Sequence, residues 1–169
     1  MMKTVAFQAR THEVSGTRRM GQVLAPLVGP GDVVLLSGDL GAGKTVLAKG
    51  LAEGLGVVEP ITSPTFNILL VHQGRIPLHH FDLYRLDAAE QLEDVDYFGT
   101  LEAGGVSLVE WGDRFGEADP EERVAVRITI EGDEDRVLAV EGRGRRGVQL
   151  AEEWRGAVDT LDGVEVMPG

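Results

Sequence analysis

The sequence predicts an α/β fold in which a central sheet of mixed parallel and antiparallel strands is flanked by helices. Two observations predict it. An apolar run, Val33-Val34-Leu35-Leu36, leads through a glycine-rich turn into a segment where Leu47, Leu51 and Leu55 recur at i, i+4 and i+8. That is the pattern of a buried strand feeding a helix that lays one apolar stripe on a sheet. Two later stretches, residues 66–83 and 124–141, each read as a pair of strands folded over a short polar turn, which adds antiparallel neighbours to the parallel unit. At 169 residues, with 43% hydrophobic and 26% charged residues, the chain is long enough to bury one core. No repeat, low-complexity tract or linker divides it. A single domain over residues 1–169 is expected, with a core over about 3–141 and a C-terminal helix and tail at 142–169.

The elements follow in order. Val5, Phe7 and Ala9 alternate with polar neighbours, so residues 3–9 read as a strand. From Thr17, the residues Met20, Val23, Leu24, Leu27 and Val28 fall at helical spacing. Pro26 ends or kinks that helix near Ala25, because a proline in a helix interior removes a hydrogen bond and clashes with the turn before it. Gly29-Pro30-Gly31-Asp32 is a turn, and residues 33–37 form the buried strand. The helix that follows the glycine-rich turn stops at Gly54 and Gly56. Residues 66–72 and 76–83 are strands joined across Gln73-Gly74-Arg75. Residues 87–98 read as one acidic helical segment. Residues 106–111 form an apolar strand with Glu110 at its exit. Residues 124–130 and 136–141 form a second hairpin around Gly132-Asp133-Glu134-Asp135. Residues 149–161 read as a closing helix, and the tail to Gly169 is expected to fray.

Composition narrows the function classes. The chain has no cysteine, so neither a disulfide nor a thiolate metal site is available. The start, Met-Met-Lys-Thr-Val, is too polar for a signal peptide, and no apolar run approaches membrane-spanning length. A soluble, cytoplasmic protein with no membrane partner is expected. The formal charge is −12, from 16 Lys and Arg against 28 Asp and Glu, and such a chain is repelled from DNA and from bare RNA at long range. One basic cluster exists, Arg143-Gly144-Arg145-Arg146. A solvated loop that offsets local acid accounts for it more simply than an RNA contact.

The turn after the first buried strand carries the chemistry. Gly38-Asp39-Leu40-Gly41-Ala42-Gly43-Lys44-Thr45 matches G-x-x-x-x-G-K-[ST] completely, between a strand and a helix as such a loop requires. Gly38, Gly41 and Gly43 allow backbone conformations closed to other residues. The loop amides can then converge on an anion at the positive end of the helix. Lys44 is expected to reach the outer phosphates of a nucleotide, and the Thr45 hydroxyl to ligate its Mg²⁺. The chain is therefore read as a P-loop NTPase domain.

Hydrolysis needs a completed metal shell and an ordered water. Open α/β sheets bind ligands beyond the carboxyl ends of their strands, which selects Glu110 and Asp82, with His80 on the same face as Asp82. Glu110 and Asp113 could instead be surface acids, and Asp82 could pair with Arg85. His79 and His80 point to opposite faces of a strand, which argues against a shared zinc site. Thr62-Ser63-Pro64-Thr65-Phe66 is, on local chemistry, a turn opened by serine, or else a switch-type segment near the outer phosphate.

Four motifs now stand in order: Gly-Asp-Leu-Gly-Ala-Gly-Lys-Thr at 38–45, Ser-Pro-Thr-Phe at 63–66, His-Phe-Asp-Leu-Tyr-Arg-Leu at 80–86, and Val-Glu-Trp at 109–111. Together they closely resemble the TsaE (YjeE) family of small bacterial P-loop ATPases, over roughly residues 7–130. That family is required for the threonylcarbamoyl modification of adenosine 37 in tRNAs that read codons beginning with A. The resemblance implies ATP and Mg²⁺ as cofactors. It implies phosphate contacts from Gly38, Asp39, Leu40, Gly41, Ala42, Gly43, Lys44, Thr45 and Val46, with Thr45 and Glu110 serving the metal. Asp82 is implied as a catalytic-site acid, Thr65 as a switch-type hydroxyl and Trp111 as a wall of the site.

The resemblance further implies an ATPase that is weak alone and tied to the TsaB and TsaD proteins. In that arrangement tRNA is reached only through the partners, and hydrolysis resets the complex between turnovers. Two positions depart from the family: Gly112 stands where a proline is common, and Val46 where a second hydroxyl is common. The segment after Gly142 matches no part of that pattern. Two other functions fit the loop alone. One is a nucleotide-dependent partner switch that hydrolyses nothing, which would not need both Asp82 and Glu110. The other is a small-molecule kinase, for which the chain shows no arginine-rich lid or acceptor domain.

Overall fold

A computed structural model of the chain describes residues 4–39, 41–62, 68–111 and 115–167. In chain order the elements are β1 (Thr4–Thr11), α1 (Val14–Leu24), β2 (Val33–Gly38), α2 (Lys44–Gly54), β3 (Leu69–His72), β4 (Leu78–Asp82), α3 (Gln91–Asp94), α4 (Tyr97–Glu102) and β5 (Val106–Glu110). A 3₁₀ turn at Gly116–Ala118 follows, then β6 (Arg123–Ile130), β7 (Arg136–Arg143), α5 (Gly144–Val158) and β8 (Val164–Met167).

Among the described residues eight strands form one sheet, ordered β3-β4-β5-β2-β6-β7-β1-β8. The central four, β4, β5, β2 and β6, run parallel. β3 joins β4 antiparallel at one side, and β7, β1 and β8 extend the other side antiparallel. The fold is thus α/β with a mixed sheet. No described helix is long and apolar enough to cross a membrane.

Strand alternation divides the core between the two faces of the sheet. Phe7, Val34, Leu36, Leu78, Leu108, Val126 and Leu138 lie on the face covered by α1, α2 and α5. Val33, Leu35, Phe81 and Val109 lie on the other, under Leu92 of α3 and Tyr97 and Leu101 of α4. β2 is buried along Val33 to Ser37 because helices cover both of its faces, as expected of a parallel strand. Trp154 of α5 is fully buried, meets Phe7 edge-on at 6.1 Å and donates from Nε1 to the Met20 carbonyl at 2.9 Å. That one side chain ties the C-terminal helix to β1 and α1.

Four expectations are corrected. Residues 87–98 are not one helix, because Asp96 adopts φ 51° and separates α3 from α4. α5 starts at Gly144, five residues before the expected position. The basic cluster is therefore not a solvated loop. It ends β7 and opens α5, and Arg146 makes a forked contact with the buried carboxylate of Asp32 at 2.8 and 2.7 Å. The tail expected to fray instead forms β8, with Val164 opposite Thr11 and Val166 opposite Ala9. The remaining strands and helices stand where expected, with ends shifted by a few residues. α1 closes at Leu24, so Pro26 falls in the turn beyond it.

Candidate functional site

The glycine-rich loop leaves the carboxyl end of β2 and turns into α2. Ala42 donates to the Asp39 carbonyl at 3.0 Å, which closes the turn. Gly38 has φ 147°, and a Cβ there would stand 2.6 Å from the Ile128 carbonyl oxygen of β6, so no larger residue fits. Gly43 caps α2 in the left-handed region, φ 113°, which a side chain would strain. Thr45 sits half-buried in the first turn of α2. Leu40 lies outside the described residues.

Lys44 is 6% exposed, a rare state for a lysine. Its Nζ donates to the Gly38 carbonyl at 2.6 Å and lies 3.6 Å from the centroid of the Trp111 ring. A cation over an indole face is held by the ring quadrupole. Trp111 itself takes φ 61° and stacks against Tyr84 at 5.0 Å. Since Trp111 follows Glu110 directly, this contact draws the exit of β5 against the lysine of the loop.

The two acids are neighbours. Register pairs Leu36 of β2 with Glu110 of β5, and Glu110 with Asp82 of β4. All three face the side of the sheet that carries the loop and α2. Glu110 is 3% exposed, so it is not a surface acid. His80, one pair back on the same face, brings Nε2 to 2.6 Å from the Glu110 carboxylate, while its Nδ1 is buried without a hydrogen-bond partner. A carboxylate only accepts, so Nε2–H is the donor of that contact. Asp82 accepts the Tyr84 amide at 3.0 Å through Oδ1, so its own turn fixes its rotamer. His79 faces away, opposite Ser107, and burial pushes its pKa below the ordinary imidazole value. Thr65, Gly112 and Asp113 lie outside the described residues.

The donor set fits a nucleotide with a hard divalent cation. Among the described residues no three carboxylates or imidazoles converge on one point. A magnesium bound beside phosphates does not need that, because one or two protein oxygens suffice when phosphate and water complete its octahedron. The Thr45 hydroxyl and the Glu110 carboxylate are oxygens of that kind, and Lys44 supplies a fixed positive charge at the mouth of the loop.

Sequence reasoning missed three contacts at this site: the His80–Glu110 bond, the Tyr84–Trp111 stack, and a guanidinium, Arg136, against the outer side of the loop. Alternation showed His80 and Asp82 to share a face. Which strand stands beside that face depends on sheet order, which no local pattern carries.

The chain matches the family model described as threonylcarbamoyl adenosine biosynthesis protein TsaE over residues 11–138. It is 43% identical to a tRNA threonylcarbamoyladenosine biosynthesis protein TsaE of Treponema pallidum, covering 73% of this chain and 92% of that one. It is 41% identical to the protein of the same name from Bacillus subtilis, covering 85% and 90%. Among solved structures, YdiB of Bacillus subtilis superposes with a TM-score of 0.74 at 35% identity, covering 91% of this chain and 95% of that chain.

Proposed function

This chain belongs to the TsaE family of threonylcarbamoyl adenosine biosynthesis proteins, and from that premise we propose that it is a Mg²⁺-dependent ATPase. Its hydrolysis is coupled to turnover of a TsaB–TsaD complex that modifies adenosine 37 of tRNA. The observation that carries the proposal is the pairing of Glu110 with Asp82 at the carboxyl ends of β5 and β4, with Lys44 of the loop held over Trp111, the residue that follows Glu110. A loop alone would bind phosphate; two buried acids beside it are what hydrolysis adds.

Each residue has one role in this reading. The loop amides at 38–43 and Lys44 orient the triphosphate and offset charge that spreads over its outer oxygens in the transition state. Bound Mg²⁺ would neutralise the outer phosphates, held through the Thr45 hydroxyl and the side of Glu110 that His80 leaves free. Asp82 would order the attacking water, and Thr65 would serve the outer phosphate as a switch-type hydroxyl. Trp111 and Tyr84 wall the site. The charge of −12 fits a protein that leaves the grip on tRNA to its partners. The protein works in the cytoplasm in this account.

A reconstituted modification reaction tests the coupling. With the TsaB and TsaD proteins, threonylcarbamoyl adenylate and unmodified tRNA, adding this chain and Mg-ATP is expected to convert a single round of modification into many. Multiple rounds that proceed equally well without this chain, or with a non-hydrolysable ATP analogue in place of ATP, would contradict it.

A further inference from the structure

We propose that Arg136 is a positioning residue that holds the phosphate-binding loop in its nucleotide-ready form from outside, by clamping it to the turn between β6 and β7. This rests on the nucleotide-site reading above and assigns a residue far from the loop motif to it. Arg136 is the first residue of β7, 91 positions or more beyond the loop, and its side chain spans two backbone segments. Nε donates to the Ala42 carbonyl at 3.0 Å and Nη2 to the Gly41 carbonyl at 3.3 Å. Nη1 donates to the carbonyls of Gly132, Asp133 and Asp135 at 2.9, 3.3 and 2.9 Å.

The physical reason lies in the peptide plane. For loop amides to face an anion, the carbonyls on the opposite side must face away from it. The Ala42 carbonyl is such an outward group, opposite the Gly43 amide just before the amino end of α2, while the Gly41 carbonyl lies opposite the Ala42 amide that closes the turn on Asp39. A guanidinium is suited to them, because its planar fork supplies several donors in fixed directions and its bonds are charge-assisted. The other half of the fork is anchored on the hairpin turn, which Glu131 N and Asp135 O close at 3.0 Å. The loop, rich in glycine, would otherwise lose backbone entropy when it orders around a ligand. Held beforehand, it loses less, and affinity rises without a new contact to the nucleotide.

The experiment is a calorimetric titration of Mg-ADP into the full chain and its Arg136→Met and Arg136→Lys variants, below the unfolding range of each. Arg136→Met is expected to bind roughly tenfold more weakly, the scale of losing a hydrogen bond from a charged donor. Arg136→Lys keeps a charge but not the fork, so it is expected to recover little of that loss. A residue that merely stabilised the hairpin would lower the melting temperature and leave the affinity of the folded protein unchanged. Unchanged affinity in Arg136→Met, or full recovery in Arg136→Lys, overturns the inference while leaving the proposed function standing. If Arg136→Met does not fold, the Lys variant decides alone: it must bind more weakly than the unmodified chain. Absence of binding by the unmodified chain overturns the nucleotide-site reading and this inference with it.

Discussion

Replacing Lys44 with alanine is expected to lower ATP turnover in the presence of partners by roughly 10²–10³-fold, the usual scale for removing one preorganised charge from a transition state. The reason is geometric. Lys44 is held within hydrogen-bond reach of the Gly38 carbonyl and under the Trp111 ring, so its charge is in place before the nucleotide arrives and needs little reorganisation. Alanine keeps the helix propensity of the first turn of α2, and circular dichroism should show an unchanged fold. Steady-state phosphate release, measured with the partner proteins at saturating ATP, checks the value. A variant that hydrolyses ATP at the unmodified rate removes Lys44 from the catalytic set.

Replacing Asp82 is expected to separate binding from turnover. Asp82→Asn keeps an oxygen to accept the Tyr84 amide, so the turn after β4 survives, while the carboxylate charge is lost. Turnover is expected to fall by about 10²–10⁴-fold, the range for a positioned acid–base group. Affinity for Mg-ADP should stay close to that of the unmodified chain, because the proposed phosphate contacts come from the loop and Lys44. Titration calorimetry beside a phosphate-release assay reads both quantities. A large loss of affinity with little further loss of rate would reassign Asp82 to structure.

The parts of this site that were legible in the sequence are those set by local backbone rules. The loop was legible because phosphate binding needs glycines at fixed offsets between a strand and a helix. Glu110 and Asp82 were legible as acids at strand exits, since the apolar runs before them end there. Their adjacency was not, because it depends on β4 lying beside β5 and β5 beside β2. The same limit hid Arg136, which reaches Gly41 and Ala42 only because β7 follows β6 at the loop's side of the sheet. It also hid β8, a four-residue strand that exists through pairing with β1, more than 150 positions earlier.

Two misreadings have more local causes. α5 begins with Gly144 at φ 80° and a basic first turn, so glycine and charge looked like loop composition. Gly144 is needed for its positive φ, and Gly147 because the helix packs close to the sheet: a Cβ on Gly147 would run into the Arg123 carbonyl of β6. The acidic segment at 87–98 has helical composition throughout. Its break comes from Asp96 in the left-handed region, a conformation that aspartate tolerates better than most residues. Thr65, the one expected catalytic-set residue outside the described residues, rests on resemblance.

The site at the carboxyl ends of the parallel strands matters only if it turns over ATP under the control of partners. The measurement that tests this most directly is the steady-state rate of Mg²⁺-dependent ATP hydrolysis by the purified chain, alone and with the TsaB–TsaD pair added. A low rate alone, marked stimulation by the pair, and loss of the stimulated rate in Lys44→Ala are expected. Equal rates with and without the pair, or no hydrolysis in either case despite nucleotide binding, would contradict the proposed function.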